Sequence, residues 1–221
     1  MNSSLAPYPM PPGVKRLMPF QEYPFNGDGY AAGEVLRLKA KHGLTKALET
    51  GTCLGSTTLW LSENFDKVWT SEVCEEFYDI ASQRFTAHQK PHALDTTERF
   101  WQNIIARRRD SVMAVRGDAD RAHFFFLDAH WGDTCPLLGE LGSIANPERP
   151  LSRKPVIMIH DWQVPGRPDL GHDHFPDGRP FALEHIAGHL DAIYGVGGWG
   201  HHYNDKAEGA KRGILYVEPK V

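Results

Sequence analysis

The chain has 221 residues, 41% hydrophobic and 24% charged, with a formal net charge of −4. That is the size and composition of one globular domain, not of two domains or a disordered polymer. Its densest basic run, Arg107-Arg108-Arg109, is too short for a phosphate-backbone footprint, so no nucleic-acid partner is expected.

No apolar stretch approaches the ~20 residues of a membrane span, so no membrane partner is expected either. Cys53, Cys74 and Cys135 are odd in number and form no CxxC, which predicts free thiols in a reducing compartment. Prolines stand where a signal peptide would be apolar, and a cytoplasmic location is the expectation.

Residues 1–27, rich in proline and aromatics, read as an extended arm ahead of a single domain at 28–221. Asp28 is placed to cap a helix over 28–42. An apolar run at 44–49 enters TGTCLGST, and a helix is predicted over 56–64. A strand over 67–73 ends in an acid, and helices follow over 74–88 and 96–109, the latter ending in the arginine run as a solvated terminus. SVMAVRGD, 111–118, reads as a strand and turn. HFFFLDAHW and PVIMIHDW are apolar strands with polar ends, separated by a helix over 134–146 in which Asp133 is a candidate cap.

A Gly/Pro/His/Asp-rich loop spans 163–180, long enough for a lid over substrate. An amphipathic helix, 180–194, and two closing strands, 200–204 and 213–218, complete the chain. Alternating strands and helices predict an α/β, Rossmann-like doubly wound sheet. The expected sheet is mostly parallel and seven-stranded, with an antiparallel edge strand and helices on both faces.

In such sheets a ligand sits at the carboxyl ends of the strands. Glu49, Gly51, Thr52, Gly55, Ser56 and Thr57 form a turn of type E-x-G-x-x-x-G at that place. Gly51 allows close backbone approach, Gly55 allows tight packing, and Ser56 and Thr57 offer donors to a carboxylate at a helix start. Glu72, about 20 residues on, suits ribose hydroxyls. Asp118 is expected beside an adenine amino group.

These signals, together with ALETGTCLGSTT, LDAHW, IHDW and RGILYVEP, resemble the class I S-adenosylmethionine-dependent methyltransferases, in particular small bacterial and phage proteins carrying an LDAHW motif. The resemblance implies S-adenosylmethionine as cofactor, with its methionine part on Gly51 and the residues after it, ribose on Glu72 and adenine by Asp118.

Asp128, His130, His160 and Asp161 end two apolar strands and are predicted to meet where the methyl group points, so Asp128 is also a cofactor neighbour. Two roles fit them. In one, His130 or His160 is a general base on an acceptor hydroxyl, with Asp128 in support. In the other, a divalent cation such as Mg or Mn is held, and the resemblance to metal-dependent O-methyltransferases points to Asp128, His160 and Asp161 as ligands. Trp131 and Trp162 are either acceptor-pocket walls or core. His172 and His174 are further ligand candidates in the loop. Cys53 has no evident base and is not a nucleophile candidate.

The expected function is O-methylation of a small polar acceptor, a sugar or phenol hydroxyl. The rivals are a metal-dependent hydrolase or oxygenase on the same fold and a non-catalytic S-adenosylmethionine-binding protein. A homo-oligomer is compatible with all of them.

Overall fold

In the computed structural model, residues 5–14, 19–130 and 134–220 are described. Six helices and nine strands are present among them: α1 Gly29–His42, β1 Lys46–Thr50, α2 Ser56–Asn64, β2 Lys67–Glu72, α3 Glu75–His88, β3 Pro91–Leu94, β4 Glu98–Trp101, β5 Ile104–Arg108, α4 Ser111–Asp118, β6 Phe124–Leu127, α5 Leu137–Ile144, β7 Val156–His160, α6 Leu183–Tyr194, β8 Trp199–Tyr203 and β9 Ile214–Pro219. No helix is long and apolar enough to cross a membrane.

One sheet joins all the strands in the order β3-β4-β5-β2-β1-β6-β7-β9-β8. The five central strands are mutually parallel, while β3 and β4 at one edge and β9 and β8 at the other add antiparallel pairs. The doubly wound parallel core is as expected; the sheet is two strands wider.

β3, β4 and β5 stand where a single strand, 111–118, was expected, which accounts for the two extra strands. The apolar residues of 96–109 are compatible with a helix, but that stretch forms the hairpin β4–β5. Its turn is anchored from outside: the Asn103 side chain donates to the carbonyls of Ser62, 2.6 Å, and Phe65, 3.1 Å, and its own oxygen accepts from Gln89. Conversely, 111–118 is a helix. Asp110 accepts a hydrogen bond from the Met113 amide and caps it. A predicted helix is thus a hairpin and a predicted strand a helix, so β5 is still followed by a helix that leads to the next parallel strand, β6.

Alternation along each central strand supplies two cores. Phe124 and Phe126 face α1, α2 and α3; Phe125 and Leu127 face α4, α5 and α6. Helix α1 starts where predicted: Asp28 accepts from the amides of Tyr30 and Ala31, and Gly43, at φ 60°, ends it in a left-handed cap.

The arm lies on the domain beside the turn after β1. Buried Arg84 of α3 donates to the carbonyls of Tyr8 and Leu54 and to Ser56 Oγ. Strand order reverses between β1 and β6, which opens a crevice at the carboxyl ends of the strands.

Candidate active site

A cavity of about 320 Å³ fills that crevice, within the roughly 300–1,000 Å³ typical of small-molecule sites. The turn after β1 forms its floor. Gly51 has φ +77°, and a Cβ there would strike the Asp128 carbonyl. The glycine thus serves first to bring the tip of β1 against that of β6. Gly55, at φ +79°, packs its α-carbon on the Phe85 ring of α3, which would lie 2.6 Å from a Cβ.

Glu72 clasps this turn. One carboxylate oxygen accepts from the Cys53 amide at 2.8 Å and the other from the Cys74 amide at 2.9 Å. Burial raises its pKa against the pull of those amides. Glu49 is fully buried, and burial pushes it up to about 8 despite hydrogen bonds from Thr58 and Thr70. Its Oε1 has no hydrogen-bond partner among the described residues, and Glu49 lines the cavity.

Thr52 also lines the cavity and shares a 2.5 Å hydrogen bond with Thr70. Ser56 and Thr57 line it too, but their hydroxyls are engaged with the arm: Ser56 Oγ donates to the Gln21 carbonyl, and Thr57 Oγ1 accepts from the Phe25 amide at 3.0 Å. Burial pushes the Cys53 thiol up to about 12, in keeping with its dismissal as a nucleophile.

Asp118 is displaced from its expected place. It ends a helix, not a strand; it is buried in ion pairs with Arg107 and Arg121 and does not line the cavity. Asp110 and Ser111, just after β5, occupy the cavity wall instead. The arginine run likewise belongs to β5, where Arg107 and Arg108 pair with Asp118 and Glu75.

The polar tips of β6 and β7 converge. His160 Nδ1 lies 3.3 Å from Asp128 and 3.2 Å from Asp161; His130 Nε2 lies 3.3 Å from Asp161 and 3.8 Å from Asp128. Asp161 holds φ 57°, a left-handed conformation of the kind that concentrates at functional sites. Asp128, His130 and Asp161 line the cavity. His160 does not: it is fully buried behind them against Phe126, so it positions the carboxylates and cannot reach a substrate directly.

Burial disfavours the charged form of both imidazoles, but Asp128 and Asp161 outweigh it. They raise the pKa of His130 and hold that of His160 well above the usual value. His130 also meets the Phe181 ring edge-on at 4.9 Å.

Other expectations fall away from the cavity. Trp162 is buried against Phe181 as core; Trp131 and Asp133 lie outside the described residues. The rings of His172 and His174 meet at a tilt, 4.9 Å apart, and do not line the cavity. Their loop is pinned to the domain: the Asp173 amide donates to the Asp161 carbonyl and the Gly171 amide to that of Lys211, both at 2.9 Å.

Five residues that contribute to the site were not expected from the sequence. Gln21, Tyr23 and Asn26 of the arm line the cavity. Asp110 could have been found as an Asp-Ser pair before an apolar run, the signature of a helix start. Arg212, which contacts Asp161 and Asp173, opens the RGILYVEP motif, but nothing in that motif points to the pairing.

No family model matches the chain, and no curated protein matches its sequence. Solved structures match its fold. An O-methyltransferase from Bacillus cereus in complex with SAH is 15% identical, with 96% of this chain and 84% of that one covered and a TM-score of 0.59. The O-methyltransferase TomG from Streptomyces achromogenes, in complex with SAM, is 13% identical over 87% and 81%, with a TM-score of 0.56. An amino pentose methyltransferase from Micromonospora echinaspora, with SAM bound, is 13% identical over 86% and 91%, with a TM-score of 0.53. The fold is that of the class I S-adenosylmethionine-dependent methyltransferases. On that fold the glycine turn, Glu72, Asp128, His130 and Asp161 line one crevice.

Proposed function

We propose that the protein is an S-adenosylmethionine-dependent methyltransferase acting on a hydroxyl of a small polar acceptor, such as a sugar or a phenol. One observation carries this reading: the glycine turn, Glu72 and the Asp128–His130–Asp161 tips line a single cavity. The fold relatives with SAM or SAH bound support the cofactor, and the amino pentose substrate named for one of them supports a small-molecule acceptor.

The residues present suit such a cofactor. Main-chain groups of the glycine turn and the unpaired Oε1 of Glu49 would receive its amino-acid end, Glu72 its ribose, and Asp110 with Ser111 its base. The cofactor supplies a methyl group on a sulfonium, ready for attack by an acceptor oxygen.

His130 takes the proton from the acceptor hydroxyl. Asp161 faces its Nε2 at 3.3 Å, which orients the ring and favours the imidazolium that forms, and neither ring nitrogen has a hydrogen-bond partner among the described residues. Phe181 packs against the ring edge-on and limits its rotation. Asp128, lining the cavity and 3.8 Å from His130, adds negative charge beside that imidazolium.

A divalent ion on Asp128, His160 and Asp161 is a weaker match. Their donor atoms lie within 4.8 Å of one another, which spacing alone would allow. The chemistry of the set opposes it: His160 Nδ1 faces both carboxylates at proton-sharing distance, and Arg212 already donates to Asp161. No step of the proposed reaction passes through a metal.

Calorimetry with S-adenosylhomocysteine tests the reading. A single site is expected, weakened about ten- to a hundred-fold in Glu72→Ala, the cost of losing a charged acceptor. Absence of binding at millimolar nucleoside would overturn it.

A further inference from the structure

Arg212 precedes β9, and its guanidinium forks between two carboxylates: Nε donates to Asp161 and a terminal nitrogen to Asp173. The two acids belong to different elements, the tip of β7 and the loop after it. The fork is clamped by the main chain around it. The Gly213 amide donates to the Gly171 carbonyl at 2.9 Å, and the Trp162 amide to the Gly213 carbonyl at 2.8 Å. The guanidinium lies against the bare α-carbon of Gly171, where a Cβ would come within 2.8 Å of a terminal nitrogen.

Asp173 is tied in turn to the Asp161 carbonyl through its own amide. A planar, permanently charged fork meeting two carboxylates is the geometry for which arginine is suited and lysine is not.

We propose that Arg212 is the resident counter-cation of the candidate active site, and that while it stands on Asp161 the Asp128–His160–Asp161 cluster takes up no divalent metal. The proposal rests on the reading of this cluster as the acceptor side of a methyltransferase site. A divalent ion bound to Asp161 would sit within a few ångströms of the guanidinium, in a partly buried site where like charges repel more strongly than in open water. Of the two Asp161 oxygens, Oδ1 already accepts from Arg212 Nε, and Oδ2 faces His130 Nε2 at 3.3 Å. Arg212 cannot lose its charge to make room. Asp161, the carboxylate of the cluster that Arg212 meets, is thus paired with a cation that cannot dissociate from the protein.

Mn²⁺ titration of the full chain, followed by the electron paramagnetic resonance of the free ion with and without S-adenosylhomocysteine, tests this. The native protein and Arg212→Lys, which keeps the charge, are expected to bind Mn²⁺ no better than millimolar. Arg212→Gln is expected to gain one site, tighter by about tenfold or more once the repelling charge is gone.

Stoichiometric uptake of Mn²⁺ by the native protein at micromolar concentration overturns the proposal. So does an Arg212→Gln protein that binds no better than native, or an Arg212→Lys protein that binds as well as Arg212→Gln. If Arg212→Gln does not fold, Arg212→Met takes its place under the same criteria. Nucleoside binding in the same samples separates the two readings: its loss removes the methyltransferase assignment, whereas Mn²⁺ uptake speaks only to the cation.

Discussion

The two sides of the crevice are built from different materials. On the β1–β2 side the groups are main-chain amides and buried carboxyls: Glu72 caught between two amides, and Glu49 held by two threonine hydroxyls. On the β6–β7 side charge is dense, with Asp128, Asp161 and Asp173 set against His130, His160 and Arg212. The first side is suited to hold a ligand by shape and fixed dipoles. The second can move a proton, because His130 stands among carboxylates already fixed in place that need little rearrangement when its imidazolium forms. Disabling one side should therefore leave the other measurable.

The largest effect is expected on the charged side. His130→Ala should lower turnover on an acceptor by roughly 10²–10⁴-fold, the range for a general base, while S-adenosylhomocysteine affinity stays unchanged. The carboxylates raise the pKa of His130, so the ring stays protonated until pH climbs past the ordinary histidine range, and native turnover should rise with pH there. An unchanged rate in the variant would remove His130 from the mechanism.

A smaller effect separates Asp118 from Asp110 on the binding side. Asp118→Ala leaves Arg107 partly unpaired in a buried site, which should cost about 3 kcal/mol and lower Tm by roughly 6–12 °C without changing nucleoside affinity. Asp110→Ala, on the cavity wall, should weaken that affinity. The reverse pattern would restore Asp118 as the adenine neighbour.

The smallest and most specific effect concerns Glu49. Its folded pKa of about 8 lies above the ordinary 4.5, so between these values the unfolded chain binds fewer protons than the folded one. Stability contributed by the protonated group is present in full below 4.5 and is lost as pH rises toward 8. Glu49→Gln mimics the protonated form and should gain on the native protein, in Tm, as pH rises from about 5 to 8. Parallel Tm curves for the two proteins would show that Glu49 is ionised throughout.

Much of the fold could be read from local pattern, because its strongest signals are local. The continuously apolar runs around Phe124–Leu127 and Val156–His160 fit only strands covered on both faces. Asp28 and Gly43 bracket α1 by hydrogen bonds that span a few residues. The stretch 96–118 defied such reading because its periodicity is ambiguous: the hairpin is decided by Asn103 reaching the end of α2, some 40 residues back. Asp118 was misplaced for the same reason, since a helix moved it one element beyond the strand end it was assigned to.

The amino-acid sequence by itself determined the alternating α/β architecture, the glycine turn and which polar residues end the central strands, since each depends on neighbours within a few positions. Only the tertiary structure decided that Asp128, His130 and Asp161 share a cavity from which His160 is excluded, that the arm walls the cofactor side, and that Arg212 meets Asp161 from 51 residues away. Such contacts join segments through packing and charge in three dimensions, and no period or spacing along the chain encodes them.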